Sequence, residues 1–191
     1  EEAKRLASRG VKELLVIAQD STSYGWDASP KTSLHELFSE LDKIDGLEWL
    51  RLHYAHPSNL HREMIKRFSD LDKLIPYIDM PIQHGSDKMI KIMKRGLKSD
   101  GIKKKIEALR KANDNIAIRT SIIVGHPGET DKEFQELLDF ISDIEFDRLG
   151  VFQYSHEENT LAGDIMKDEV PKEIKQERFD QTMALQQVIN F

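Results

Sequence analysis

Five times along this chain a short apolar run gives way to a polar loop and then to residues at helical spacing, and this alternation restricts the fold more than any other feature. The runs are Val11 to Ala18, Trp49 to Tyr54, Ile75 to Ile82, Ile116 to Val124 and Arg148 to Tyr154. Strands that alternate with helices pair parallel through right-handed crossovers. The expected architecture is α/β, an open or partial (β/α)6 barrel of parallel strands, with a doubly wound sheet as the alternative. Glu1 to Arg9 has the composition of a helix tail, which implies that the first strand of such a barrel lies upstream. With no linker or low-complexity stretch, residues 1–191 are expected to form one domain.

The clearest single unit is Arg119-Thr-Ser-Ile-Ile-Val-Gly-His-Pro-Gly-Glu-Thr130. Ile116 to Val124 is apolar and β-branched, as in a strand covered on both faces. Gly125 and Gly128 give freedom, or room for a ligand, around the fixed φ of Pro127. Thr130 with Glu133 forms a capping box for a helix that aligns Phe134, Leu137, Leu138 and Ile141 and runs to about Ile144.

Elsewhere Ser33 and Glu36 make a second capping box, and Gly46 is expected to close that helix. A helix follows from Leu60 to Phe68. The prolines of Ile75 to Ile82 point to a special or loosely paired strand. Ser86 is expected to cap Asp87 to Met93, and Ser99 to start a helix with Ile102, Ile106 and Leu109 inward. Ser155 to Thr160 is a polar loop, and Pro171 opens a final helix reaching the end of the chain.

Composition closes several routes. With no cysteine among 191 residues, thiolate zinc sites, disulfides and cysteine-ligated iron–sulfur clusters cannot be built from this chain. A net charge of −6 speaks against a domain that grips nucleic acid by itself. The basic run from Lys88 to Lys111 is expected to be the solvated face of two helices. No apolar run nears the roughly 20 residues of a membrane span and no signal peptide opens the chain, so a cytoplasmic protein without membrane contact is expected.

In parallel barrels chemistry sits at the C-terminal ends of the strands. Those ends carry Gln19 and Asp20, His56, Gln83 and His84, Gly125 and Glu129, and Tyr154 and Ser155. Such amides, imidazoles and carboxylates suit a polar ligand held at several points. Arg119 and Ser121 share one side of their strand. They either face inward toward a carboxylate or ribose hydroxyls, or Arg119 is an exposed strand-start residue paired with a nearby acid. His53 and His56, three apart on a strand, turn to opposite faces, which argues against a shared metal. The P-loop pattern, the G-x-G-x-x-G fingerprint and the nucleophile elbow are all missing.

Four stretches together resemble the radical S-adenosylmethionine methylthiotransferases. They are Gln19-Asp-Ser-Thr-Ser-Tyr-Gly25, Met80-Pro-Ile-Gln-His-Gly-Ser86 with Met93-Lys-Arg95, the Arg119 to Thr130 segment, and Gly150-Val-Phe-Gln-Tyr-Ser155. The Gln-Asp-x-Thr-x-Tyr-Gly and Pro-x-Gln-His forms are similar to the branch that methylthiolates the β-carbon of an aspartate in a small-subunit ribosomal protein. The resemblance implies S-adenosylmethionine as cofactor, two [4Fe-4S] clusters, a reductant, and a ribosomal-protein substrate. It implies cluster ligands, an N-terminal cluster domain and a small C-terminal β-domain that all lie outside this chain, which is then inactive by itself. Carried onto this sequence, Gln19 and Asp20 would meet cofactor or substrate, with Gln83 and His84 as their fourth-strand equivalents. Arg119 and Ser121 would take the methionine carboxylate or ribose. Gly125 and Gly128 would admit adenine to the backbone, and Phe152 and Tyr154 would flank the base. No catalytic residue and no metal ligand is assigned within the chain.

Overall fold

The computed structural model describes residues 1–158 and 161–190, with Leu161 and Ala162 in backbone only. Asn159 and Thr160, the end of the expected polar loop, and Phe191, the end of the expected last helix, lie outside the described residues. The strands are β1 (Glu13–Val16), β2 (Trp49–Leu52), β3 (Leu74–Asp79), β4 (Ala117–Val124) and β5 (Arg148–Gln153). The helices are α1 (Glu2–Ser8), α2 (Leu34–Asp42), α3 (Arg62–Asp70), α4 (Asp87–Ile92), α5 (Ser99–Ala112), α6 (Asp131–Ile144), α7 (Leu161–Ile165) and α8 (Lys172–Ile189). The strands join one sheet in the order β1-β2-β3-β4-β5. The pairs β1–β2, β2–β3 and β4–β5 are parallel. A doubly wound sheet needs a point where strand order reverses, and this order has none.

The chain forms two compact units, one of Glu1–Met80 with Lys104–Ile118, the other of Pro81–Lys103 with Arg119–Phe191. In the first unit, Leu50, Leu52 and Ile78 are buried together with Leu34, Phe38 and Leu41 of α2 and Met64, Ile65 and Phe68 of α3. Each such side chain removed from water contributes about 1.5–3 kcal/mol. Ser33 caps α2 by accepting the Glu36 N–H. The helix stops at Asp42 with Lys43 as C-cap, so Gly46 (φ 87°) shapes the turn beyond it rather than closing it. The expectation for the proline-bearing strand is met at Pro76. Leu50 pairs with Leu74 but Leu52 with Ile78, and Pro76 sits in that irregularity, where no ladder bond is asked of it. Lys105 departs from the expected solvated face: its ammonium reaches the Leu60 carbonyl, and burial lowers its pKa.

In the second unit, α6 buries Phe134, Leu137, Phe140, Ile141 and Ile144. Along β4, Thr120, Ile122 and Val124 are buried while Arg119, Ser121 and Ile123 are half-buried. The expectation of a strand covered on both faces is therefore corrected: one face is packed and the other is partly open. Ser86 stands at the N-cap of α4, but its hydroxyl donates to Glu136 at 2.5 Å instead of capping the helix. The inner side of α8 is polar, with Lys175, Arg178, Thr182 and Gln186 all buried. No helix among the described residues is long and apolar enough to cross a membrane.

The Thr130–Glu133 capping box is formed, with the Glu133 carboxylate accepting the Thr130 N–H at 3.0 Å as well as its hydroxyl. The Thr130 hydroxyl is the largest influence holding the Glu133 carboxyl down to about 2, from an ordinary 4.5, and Lys88 at 3.1 Å adds to it. A depressed carboxyl contributes stability that is complete above its unfolded pKa and is lost as pH falls through the folded one. Glu133→Ala is therefore expected to cost about 1 kcal/mol at neutral pH, and the difference from wild type should close between pH 4.5 and about 2. Urea melts across that range would show it; a pH-independent difference would contradict the capping role.

Candidate functional site

In the second unit, β4 and β5 pair with Arg119 beside Arg148, Ser121 beside Gly150 and Ile123 beside Phe152. Residues paired across parallel strands point to the same face, so these six form one surface. The Arg119 Nη1 lies 3.5 Å from the Ser121 Oγ. A Cβ on Gly150 would sit 3.7 Å from Arg119 Nη2 and 3.9 Å from Ser121 Oγ, so the guanidinium lies across this glycine. Phe152 is 54% exposed on the same side. Gln83 is attached alongside: its N–H donates to the Ser121 carbonyl at 3.0 Å and its carbonyl accepts from the Ile123 N–H at 2.9 Å. It does so at φ 72°, a left-handed conformation that costs a non-glycine residue on the order of 1 kcal/mol. A guanidinium, a hydroxyl and an exposed aromatic ring thus share one face, with the backbone of Gln83 bonded along the edge of β4 opposite Ile122.

His84 occupies a different environment. It is fully buried, its Nδ1 accepts the Ser86 N–H at 3.0 Å, and its Nε2 lies 3.2 Å from Glu129. Glu129 is a hub of the loop after β4. It accepts the Gly125 N–H at 3.1 Å on each oxygen and the Arg178 guanidinium at 2.8 Å. Arg178 also reaches Asp131 at 2.9 Å. With both nitrogens engaged inside the fold, His84 positions the loop.

Gly125 and Gly128 adopt φ 70° and 88°. The room at Gly125 is filled from within: a Cβ there would come 2.4 Å from Lys175 Cγ. At Gly128 it would meet Ile92 and Met166 at 3.3 and 3.5 Å. On the side where a Cβ would stand, the lysine stem makes the close approach to the Gly125 backbone. Lys175 then spends its ammonium on Asp168 at 2.6 Å and the Tyr154 carbonyl at 3.1 Å. The Tyr154 and His126 rings meet edge-on with centroids 4.8 Å apart, and the same ammonium lies over the Tyr154 ring at 5.1 Å. Burial pushes the Tyr154 hydroxyl pKa up and the His126 pKa down.

In the first unit, Gln19 is exposed and Asp20 is half-buried. Asp20 accepts from the Thr22 N–H at 3.0 Å, Ser23 at 2.6 Å and Asn59 at 2.8 Å. Burial would raise its pKa, yet these bonds together hold it down to about 2. Asp20 is a brace for its loop. His56 Nδ1 accepts the Ser58 N–H at 3.3 Å, while His53 lies beside Asp79. No group of three His, Cys, Asp or Glu among the described residues is placed to hold a metal. Sequence reasoning overlooked Lys175 and Arg178; their signal was a stripe of polar residues at 175, 178, 182 and 186, the spacing at which apolar residues usually mark the buried side.

The family model described as the Radical SAM superfamily matches residues 1–141, and the chain belongs to that superfamily. Among curated relatives, it is 45% identical to the ribosomal protein uS12 methylthiotransferase RimO of Anaeromyxobacter sp. (strain K), over 99% of this chain and 40% of that protein. It is 47% identical to the RimO of Clostridium perfringens (strain 13 / Type A), over 100% of this chain and 42% of that one. The chain thus spans about two-fifths of the length of the relatives it matches. Among solved structures it resembles Escherichia coli coproporphyrinogen III oxidase (HemN), a radical SAM enzyme, with a TM-score of 0.67 and 17% identity over 81% of this chain and 37% of that one. It also resembles the archaeal Methanocaldococcus infernus Elp3, with a TM-score of 0.55 and 15% identity over 94% and 47%. These two likenesses show the fold alone, α/β with parallel strands in one sheet.

Proposed function

We propose that this chain is the central part of a cytoplasmic radical S-adenosylmethionine methylthiotransferase that modifies the β-carbon of an aspartate in a small-subunit ribosomal protein. The observation that carries the reading is identity of 45–47% to uS12 methylthiotransferases across essentially the whole chain. The surface around Arg119 supports it, because its donor set suits the cofactor. Arg119 would bind the methionine carboxylate, where a guanidinium offers paired donors. Ser121 and the Gln83 amide would take ribose hydroxyls, and the Phe152 ring would lie against the base. Gln19, His84, Asp20, Gly125, Gly128 and Tyr154 would shape or brace the loops around that ligand. S-adenosylmethionine supplies the methyl and radical chemistry when bound. The [4Fe-4S] clusters do not fit this chain, which has no cysteine to ligate them, so their ligands must come from elsewhere in the whole protein. The whole protein would also need a reductant.

Two measurements test this. The full-length protein should add a methylthio group to ribosomal protein uS12 in ribosomes and leave tRNA unmodified; the reverse result would move it to a tRNA-modifying branch. Arg119→Ala should weaken S-adenosylmethionine binding at least about tenfold by calorimetry, because a charge-assisted hydrogen bond is lost. Unchanged affinity would remove Arg119 from the cofactor site.

A further inference from the structure

The loop that follows β1 builds a groove to which the reading above gives no role. It lies within the first unit, at the C-terminal end of β1, the end at which sheets of parallel strands bind their ligands. Its volume is about 530 Å³, far more than an ordered water needs. Leu34 and Leu37 of α2 supply an apolar wall. Tyr24 and Trp26 line the groove as well, yet they are 45% and 77% exposed. Two exposed aromatic residues beside an apolar wall make a contiguous patch of the kind that marks an interaction surface.

The loop is held in shape before any partner arrives. Ser21 donates to the His53 carbonyl at 2.7 Å, and the Asn59 amide donates to Asp20 at 2.8 Å. The Tyr24 N–H donates to the Ser21 carbonyl at 3.2 Å, and the Trp26 N–H to the Ser23 carbonyl at 3.3 Å. Gly25, at φ 81°, lets the two arms of the loop touch, since a Cβ there would lie 2.4 Å from the Thr32 carbonyl oxygen. A surface fixed in this way loses little conformational freedom on binding.

Its charge is one-sided. Asp20 and Asp27 line the groove, and no lysine, arginine or histidine does. The partners of Asp20 are all neutral: the Thr22 N–H, the Thr22 and Ser23 hydroxyls and the Asn59 amide. These donors solvate the carboxylate without cancelling its charge. Asp27 is exposed and makes no hydrogen bond or ion pair among the described residues.

We propose that this groove docks a lysine- or arginine-bearing segment of the protein substrate, with the aliphatic stem along Leu34 and Leu37 and the cation between Asp27 and the rings of Tyr24 and Trp26. Long basic side chains lay their stems on apolar surface, and their heads favour carboxylates and aromatic faces. A polynucleotide would instead bring its phosphates against two carboxylates with no cation to receive them. The inference rests on the protein-substrate reading above and adds the surface that receives the substrate chain.

Calorimetric titrations of the full-length protein with purified uS12, and separately with S-adenosylmethionine, test it. Trp26→Ala and Asp27→Lys should each weaken uS12 binding by about tenfold, as for an aromatic anchor removed or a charge reversed at an interface. S-adenosylmethionine affinity and the thermal melt should stay unchanged. Raising the salt concentration should weaken uS12 binding more in wild type than in Asp27→Asn. Equal uS12 affinity in wild type and both variants would overturn the docking surface while leaving the protein-substrate reading standing. Tighter uS12 binding by Asp27→Lys would overturn it by making the docked segment acidic. A lowered melt in Trp26→Ala with unchanged uS12 affinity would overturn it by giving the groove to another part of the whole protein. A wild-type protein that does not bind uS12 would remove that reading and this inference together.

Discussion

Glu129→Ala is expected to destabilise the protein by about 3–5 kcal/mol, the range seen when one partner of a buried ion pair is removed. Glu129 is buried and receives two kinds of donor: the Gly125 N–H at 3.1 Å and the Arg178 guanidinium at 2.8 Å. His84, fully buried, adds a third contact at 3.2 Å. Deletion of the carboxylate leaves the guanidinium inside the fold with the exposed Asp131 carboxylate at 2.9 Å and the Glu129 backbone carbonyl at 3.3 Å, without its buried counter-charge. Removing both charges should hurt less than removing one, so Glu129→Ala with Arg178→Met is expected to recover part of the loss. Urea denaturation of the three variants would decide it. A Glu129→Ala protein within about 1 kcal/mol of wild type, or a double variant worse than the sum of the singles, would show that the hub is not what holds this loop.

The fold was legible because its signals are local and repeated. Ile122 and Val124, and Phe134 and Leu137, take the buried positions that period-2 and period-3.6 spacing assign them. Strand ends were drawn too long, as at Val11 to Ala18 against Glu13–Val16, because apolar residues continue into loops where pairing has stopped. The packing of β4 was misjudged for a related reason. Its odd positions include Ile123 as well as Arg119 and Ser121, and an apolar residue gives no sign of whether its side will be covered.

The candidate site was legible to a different degree at each residue. Arg119, Ser121 and Phe152 are strand residues, and alternation alone places them on one surface once the register of β4 with β5 is known. His84, Asp20 and Tyr154 sit in loops, where side-chain direction depends on contacts distant in sequence. His84 meets Glu129 from 45 residues away, and Asp20 meets Asn59 from 39 away. Polar residues at strand ends announce a working region, but they do not distinguish groups that face a ligand from those that tie the loops down. Here Ser121 and Phe152 lie on the partly open face of β4 and β5, whereas His84 and Asp20 are hydrogen-bonded within the fold.

Gly125 puts the same distinction to an experiment. Gly125→Ala is expected to cost about 2–4 kcal/mol, from strain at φ 70° together with overpacking of Lys175. The added Cβ would lie 2.4 Å from Lys175 Cγ and 3.1 Å from its Cδ, and that stem has little room to yield. Its ammonium is tied to Asp168 at 2.6 Å and its side chain is 7% exposed. Shortening the stem in Gly125→Ala with Lys175→Ala should therefore relieve the collision but not the backbone strain. The two changes should couple by about 1 kcal/mol or more in a double-mutant cycle. Had the glycine also been needed to admit adenine, the substitution would weaken S-adenosylmethionine binding by more than the loss of folded protein accounts for. Thermal melts and calorimetric titrations of the same variant separate these outcomes. A stable Gly125→Ala protein with impaired cofactor binding would return Gly125 from the scaffold to the ligand surface.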